Sequence, residues 1–432
     1  MGKEAIESNY LFIHFGVCIM RIGIGNRIAS FLGIRYSLLL PKYRNRNPRA
    51  IAFQKAFRKD FEGSKIVYHN TLVHFRKLGF FASDELFQFI TTIAAIHKNH
   101  AQEKELFITL ERWTKTSKSP TAGQWLEVSM YLLSMGFFQA AYKARVLSYC
   151  NFNSMSNKLV YSLNYNILKS ALHFDNGENE KLRHLEQDLR VSVYWQAIFG
   201  GITTKSVKDD NATFFKLINK KRVAVIGPLE FSKDYSSEID SYDIVVELNA
   251  LLSKREAVRK KYHGKPDIVY YSNFRLDELE KIDYTDVVDT AKHAVLKTNK
   301  HLNKLINKLP TRVLASTSIL NWNGSFSMME NAVADLLLFK PAELKIFGVN
   351  IYTSFNYDKS YGNSPPENIK QITLNFTVHD IFTQYMFMNN LYKLGLIGGD
   401  HDFEQVLQLG IEGYIMRMSE LYPKFLLTNE SE

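Results

Sequence analysis

Residues 223–249 read VAVIGPLEFSKDYSSEIDSYDIVVELN. A short run of β-branched and apolar residues ends at Gly227, a polar stretch follows, and a second apolar run closes on Asn249. Neither run alternates apolar with polar residues, as a half-exposed strand would. Both read as strands buried on two faces, and a polar crossover between such strands predicts a parallel sheet.

The same grammar continues to the end of the chain. RVAVIG, DIVVEL, DIVYYS, HAVLKT, TRVLAS and ELKIFGV are short β-rich runs, and SFSMMENAVADLLLF before the last has apolar residues at helical spacing. VHDIFTQYMFMNNLYKLG and HDFEQVLQLGIEGYIMRMSELY read as closing helices. Residues 216–432 are therefore expected to form a Rossmann-like, doubly wound α/β domain with its ligand at the carboxyl ends of the strands.

Residues 49–215 read as helical throughout. SMGFFQAAYKA places Gly136, Phe138 and Ala141 as in the turn between paired repeat helices and resembles a tetratricopeptide-type unit. An all-helical domain of helix pairs is expected there, suited to holding a protein partner. Trp113, Trp125 and Trp195 are read as core.

Residues 1–60 carry eleven Lys/Arg against three Asp/Glu, while the remainder of the chain is nearly balanced. The excess in a net charge of +10 is thus local, which favours an electrostatic anchor over a nucleic-acid-binding body. Residues 1–48 form a basic, amphipathic segment whose uncharged runs are too short to span a bilayer. Two readings stand for it: a helix lying on an anionic membrane surface, or one packed on the protein's own core. Cys18 and Cys150 allow no disulfide framework and have no metal-ligand spacing, so a cytoplasmic setting is expected, peripheral to the membrane if the first reading holds.

Gly227 is not part of a dinucleotide fingerprint, since G-x-G-x-x-G is absent, and it is not part of a P-loop. On residues alone it is either a plain turn or a place where backbone meets a ligand.

Taken with EIDSYDIVVELN, the stretch resembles the large sialylmotif of the sialyltransferases of glycosyltransferase family 29, and more distantly family 42. Gly227, Ile239, Asp240, Ser241, Tyr242, Asp243 and Asn249 carry the likeness. SFSMMENAVADLLLFKPAELKIFGVNIY resembles the small sialylmotif, and VHDIFTQ the last motif, with His379 and with Gln384 in place of its Glu. The chain departs from the family at Pro228, where an Asn is usual, and in lacking the Ser-Thr-Gly opening and the His-rich third motif. Val223 and Pro341 stand where animal members form a disulfide.

The resemblance implies a GT-A-like variant of the α/β fold and an inverting, metal-independent glycosyltransferase. The donor would be a CMP-activated acid sugar, with no further cofactor. The acceptor would be a glycan or lipid-linked hydroxyl in surface polysaccharide synthesis. On this reading His379 is the base and Asp380 orients it or caps its helix. Gly227, Pro228 and Asn249 meet the nucleotide, and Gly324, Ser325 and Ser327 at a helix start meet the phosphate. Tyr352 and Tyr357 are donor-contact candidates. The alternatives are CMP-Kdo or another nucleotide sugar as donor, and a non-catalytic scaffold. Asp400-His401-Asp402 has the form of a metal-binding Asp-x-Asp, but Asp402 ahead of FEQVLQLG reads better as a helix cap.

Overall fold

The computed structural model describes residues 103–114, 125, 128–129, 132–133, 136–153, 204–250, 262, 264–314, 326–354, 376 and 379–422. The basic segment 1–48, most of the helical domain, and Gly324, Ser325 and Tyr357 lie outside these. The chain divides into two compact units, Met1–Tyr161 with Lys424–Glu432, and Ser162–Pro423.

In the first unit, α1 (Glu103–Thr114) packs on α2 (Phe138–Asn153), and Lys143 bridges to Glu111 at 2.5 Å. Gly136 sits at φ 80° ahead of α2, its N–H bonded to the Leu133 carbonyl and the N–H of Phe137 to that of Leu132. This is a Schellman closure, whose left-handed residue is most often a glycine. Trp125, Leu132, Phe137, Phe138 and Ala141 are buried around it. The helix–Gly–helix turn is present, and Trp125 is core.

The second unit is built on a seven-stranded, wholly parallel sheet in the order β5-β4-β3-β2-β1-β6-β7. Its strands are β1 (Arg222–Ile226), β2 (Ile244–Leu248), β3 (Ile268–Tyr271), β4 (His293–Leu296), β5 (Thr311–Val313), β6 (Glu343–Phe347) and the short β7 (Gly398–Gly399). The chain enters at β1, steps strand by strand to β5, and returns to the other side of β1 as β6. The reversal point therefore lies between β1 and β6. This is a Rossmann-like α/β arrangement.

The helices of this unit are α3 (Thr204–Ile218), α4 (Ser236–Asp240), α5 (Asn273–Leu279), α6 (Thr285–Thr290), α7 (Leu302–Leu305), α8 (Met328–Leu337), α9 (Ile381–Lys393), α10 (His401–Gln408) and α11 (Gly410–Leu421). Alternate strand residues face opposite sides. On one face Ala224, Ile226 and Val245 pack under Tyr235, Ile239 and Tyr242, and Val269, Tyr271 and Leu296 under Leu276, Tyr284 and Leu305. On the other, Tyr270 donates to Asp335 of α8 at 2.7 Å, and Arg312 forks onto the same carboxylate. Apolar strands flanked by helices on both faces are what the unalternated runs require.

Helix α3 corrects the expected boundary at 215/216. It starts well before it and packs on the sheet, with Phe214 edge-on to Phe339 at 4.8 Å and Asn211 accepting from Arg312. Its apolar stripe announced a helix but not which core would take it.

Candidate functional site at the carboxyl edge of the sheet

The residues that carry the large-motif likeness divide between the two ends of the sheet. Ser241, Tyr242 and Asp243 lie at the start of β2, the edge away from the strand carboxyl ends. Asp243 accepts from the Arg222 N–H at 2.8 Å, and Tyr242 donates to Glu343 at 2.6 Å. Arg222 bonds the same Glu343 and stacks over the Tyr242 ring at 4.5 Å. These side chains fasten β1, β2 and β6 together.

Gly227 and Asn249 lie at the opposite, carboxyl edge. A Cβ on Gly227 would stand 2.3 Å from the Gly348 carbonyl oxygen and 2.4 Å from the Val349 side chain. The Gly227 N–H bonds the Phe347 carbonyl, and that of Leu229 the Gly348 carbonyl, so the segments after β1 and β6 run together past Pro228. The space that a side chain on Gly227 would need is thus taken by the Gly348 backbone and the Val349 side chain. The close approach predicted for this glycine exists, with a different partner.

Asn249 ends β2 at φ 54°, a left-handed conformation that Asn tolerates. Its side-chain oxygen accepts from the Ser272 N–H at 2.8 Å and so holds the turn into α5. Its amide donors and the second lone pair of that oxygen remain for a ligand.

The turn after β6 is unusual. Gly348, Ile351 and Tyr352 have φ of 66°, 46° and 67°, and the Thr353 N–H bonds the Asn350 carbonyl, as in a type I′ turn. Such turns favour Asn-Gly, and a β-branched Ile there carries strain of about 1–3 kcal/mol. The geometry is held from several sides. Asp400 accepts from the Gly348 N–H at 2.6 Å, Asn350 from that of Tyr352 at 3.0 Å, and the Tyr414 and Tyr422 hydroxyls bond the carbonyls of Ile351 and Tyr352. The Tyr352 ring packs edge-on to Phe376 at 5.2 Å.

Asp400, not Asp402, caps α10, accepting from the Phe403 N–H at 2.8 Å; Asp402 sits in the first turn. Both Asp400 oxygens are thereby engaged by backbone N–H groups. Elsewhere Asp277, Glu280 and His301 offer ligand atoms within 4.8 Å of one another. There Lys300 pairs with Asp277 and Lys304 with Glu280, while His301 joins Tyr284 at 2.7 Å and Asp277 at 2.8 Å. A cation would have to displace two lysines.

His379 is partly buried and stands one residue before Asp380, the N-cap of α9. Asp380 is fully buried, with its oxygens accepting from the Thr383 N–H at 3.3 Å and hydroxyl at 2.8 Å. That is the capping role, one of the two foreseen for it.

Ser327 is the N-cap of α8, as expected, but both its donors are engaged. Its N–H bonds Gln384 Oε1 of α9 at 3.1 Å, and its hydroxyl bonds the Glu330 carboxylate. A phosphate at this helix start would meet Glu330. Glu330 was missed by sequence reasoning, although Ser327-Met-Met-Glu330 has the spacing of a capping box. Burial holds its carboxyl above the usual 4.5, with the Ser327 hydroxyl working the other way. A raised acid stabilises the fold fully below its unfolded value and loses that contribution as pH rises through the folded value. Glu330→Gln is therefore expected to gain stability relative to the parent as pH climbs from 4.5 toward neutrality, read from urea midpoints across that range.

No family model, curated protein or solved structure matches this chain. Among the described residues, no helix is long and apolar enough to cross a membrane.

Proposed function

We propose that this chain is a sialyltransferase-like, metal-independent inverting glycosyltransferase that uses a CMP-activated acid sugar. The observation that supports this most is where the motif-like stretches fall. The large-motif stretch forms β1, α4 and β2, the small-motif stretch forms α8 and β6, and β1 and β6 lie side by side at the reversal point of the sheet. Ligands of open α/β sheets bind beyond the carboxyl ends at such a point.

In this proposal Asn249 donates its amide hydrogens to the cytidine, and His379 ahead of α9 takes the proton of the acceptor hydroxyl. The sugar–phosphate bond breaks as the acceptor oxygen bonds to the anomeric carbon from the opposite face, and CMP leaves with the electron pair. Residues 1–60 against anionic lipid and the helical unit, read as tetratricopeptide-like, as a partner-holding module would place the enzyme at the cytoplasmic face of the membrane, where surface glycans are built.

His379→Ala is expected to lower turnover by about two to four powers of ten while leaving CMP binding intact. Parallel loss of CMP binding and of melting temperature would assign His379 a structural role instead. The broader test is a thermal-shift panel of CMP, UMP, UDP and GDP. Stabilisation by CMP alone supports the proposal, and a diphosphate preference points to another nucleotide sugar.

A non-catalytic scaffold is the second reading. It is favoured by the filling of the space beside Gly227 by Gly348 and of the α8 start by Glu330. No response to any nucleotide in the panel would support it.

A further inference from the structure

Gln384 is fully buried, and its Nε2 has no hydrogen-bond partner. A buried amide left half satisfied costs about 1–3 kcal/mol, so native proteins rarely keep one without use. Its oxygen is fixed by the Ser327 N–H, which leaves no freedom to flip the amide and pins the unpartnered donor at the start of α8. The hydroxyl of that same Ser327 is bonded to the Glu330 carboxylate, and Glu330 is 2% exposed. One residue thus holds an unsatisfied donor on one side and a buried acceptor on the other. The arrangement joins the first turns of α8 and α9, and His379 stands just ahead of α9.

The chemistry narrows the ligand. Phosphate or carboxylate would be repelled by the Glu330 carboxylate, and an ammonium group, which has no acceptor, would leave the Nε2 donor unsatisfied. An alcohol satisfies both, since its oxygen accepts from Nε2 while its hydrogen is donated to the carboxylate. We infer that Glu330 and Gln384 form a subsite that recognises a hydroxyl of the acceptor sugar. That the alcohol belongs to a sugar rests on the glycosyltransferase reading; the pairing of donor with acceptor does not. Both bind the hydroxyl directly, and His379 keeps the role of base.

The test uses the full chain and a neutral probe set, the methyl glycosides of glucose, galactose and mannose, titrated by ligand-observed NMR beside a CMP thermal shift. Gln384→Glu keeps an acceptor for the Ser327 N–H and removes the donor, while Glu330→Gln neutralises the acceptor. Each is expected to weaken glycoside binding about tenfold or more, with the CMP response unchanged. If Gln384→Glu does not fold, Glu330→Gln decides alone. Equal glycoside affinity in parent and variant would overturn the subsite and assign the amide to an internal water. Absence of glycoside binding in a parent that responds to CMP would overturn it too, leaving the nucleotide reading in place. Glycoside binding that depends on Glu330, with no CMP response, would keep the subsite and remove the nucleotide.

Discussion

Gly227→Ala is expected to lower the stability of the α/β unit by about 3 kcal/mol, at the upper end for overpacking. The new methyl would need the space held by the Gly348 carbonyl at 2.3 Å and the Val349 side chain at 2.4 Å. The first of these cannot turn aside, being backbone tied to the Leu229 N–H. Relief would require β1 and β6 to separate at the reversal point. A melting temperature lower by roughly 6–12 °C is the corresponding readout. Were the glycine kept open for a nucleotide alone, the variant would melt like the parent and lose only its response to CMP.

Asp335→Ala is expected to cost about 3–5 kcal/mol, because it removes the carboxylate from a buried guanidinium. The Arg312 side chain is 7% exposed and that of Asp335 fully buried, with both guanidinium arms on the carboxylate. Phe214 and Phe339 lie against the cation at 4.5 and 4.9 Å. Tyr270 donates to the same carboxylate, and its hydroxyl is held well above the usual 10 by burial first and by the Asp335 charge second. Replacing Arg312 by Met together with Asp335 by Leu is expected to recover most of the loss, since no charge is then left buried. A double variant as unstable as Asp335→Ala in urea would show that the network contributes more than charge neutralisation.

Much of this fold was legible because the strands are buried on both faces. Runs such as VAVI and IVYY have no polar side to hide, and an apolar run of that length between helical stretches has few other readings. The site was legible only where partners are close in sequence. The Gly136 turn and the Asp380 cap needed nothing beyond their own neighbours. The partners of Gly227, Asn249 and Ser327 lie on other elements, and no spacing rule carries that information. The two aspartates of GGDHDFEQ show the same limit on a smaller scale. Either can cap a helix, and it is Asp400 that does so, its other oxygen accepting from the Gly348 N–H on a distant element. Tyr242 and Asp243 show how a motif likeness can mix roles, since they brace the far edge of the sheet while Gly227 and Asn249 border the near one.

The turn at Ile351 and Tyr352 is held in its uncommon shape by phenol groups from Tyr414, in α11, and Tyr422, just after it. The two phenols lie 63 and 70 residues along the chain from the carbonyls they bond. A fragment ending before residue 410 would retain all seven strands and release the loop into ordinary backbone conformations. Losing α11 would thus alter the rim of the sheet together with the core side chains Tyr414, Ile415 and Met418.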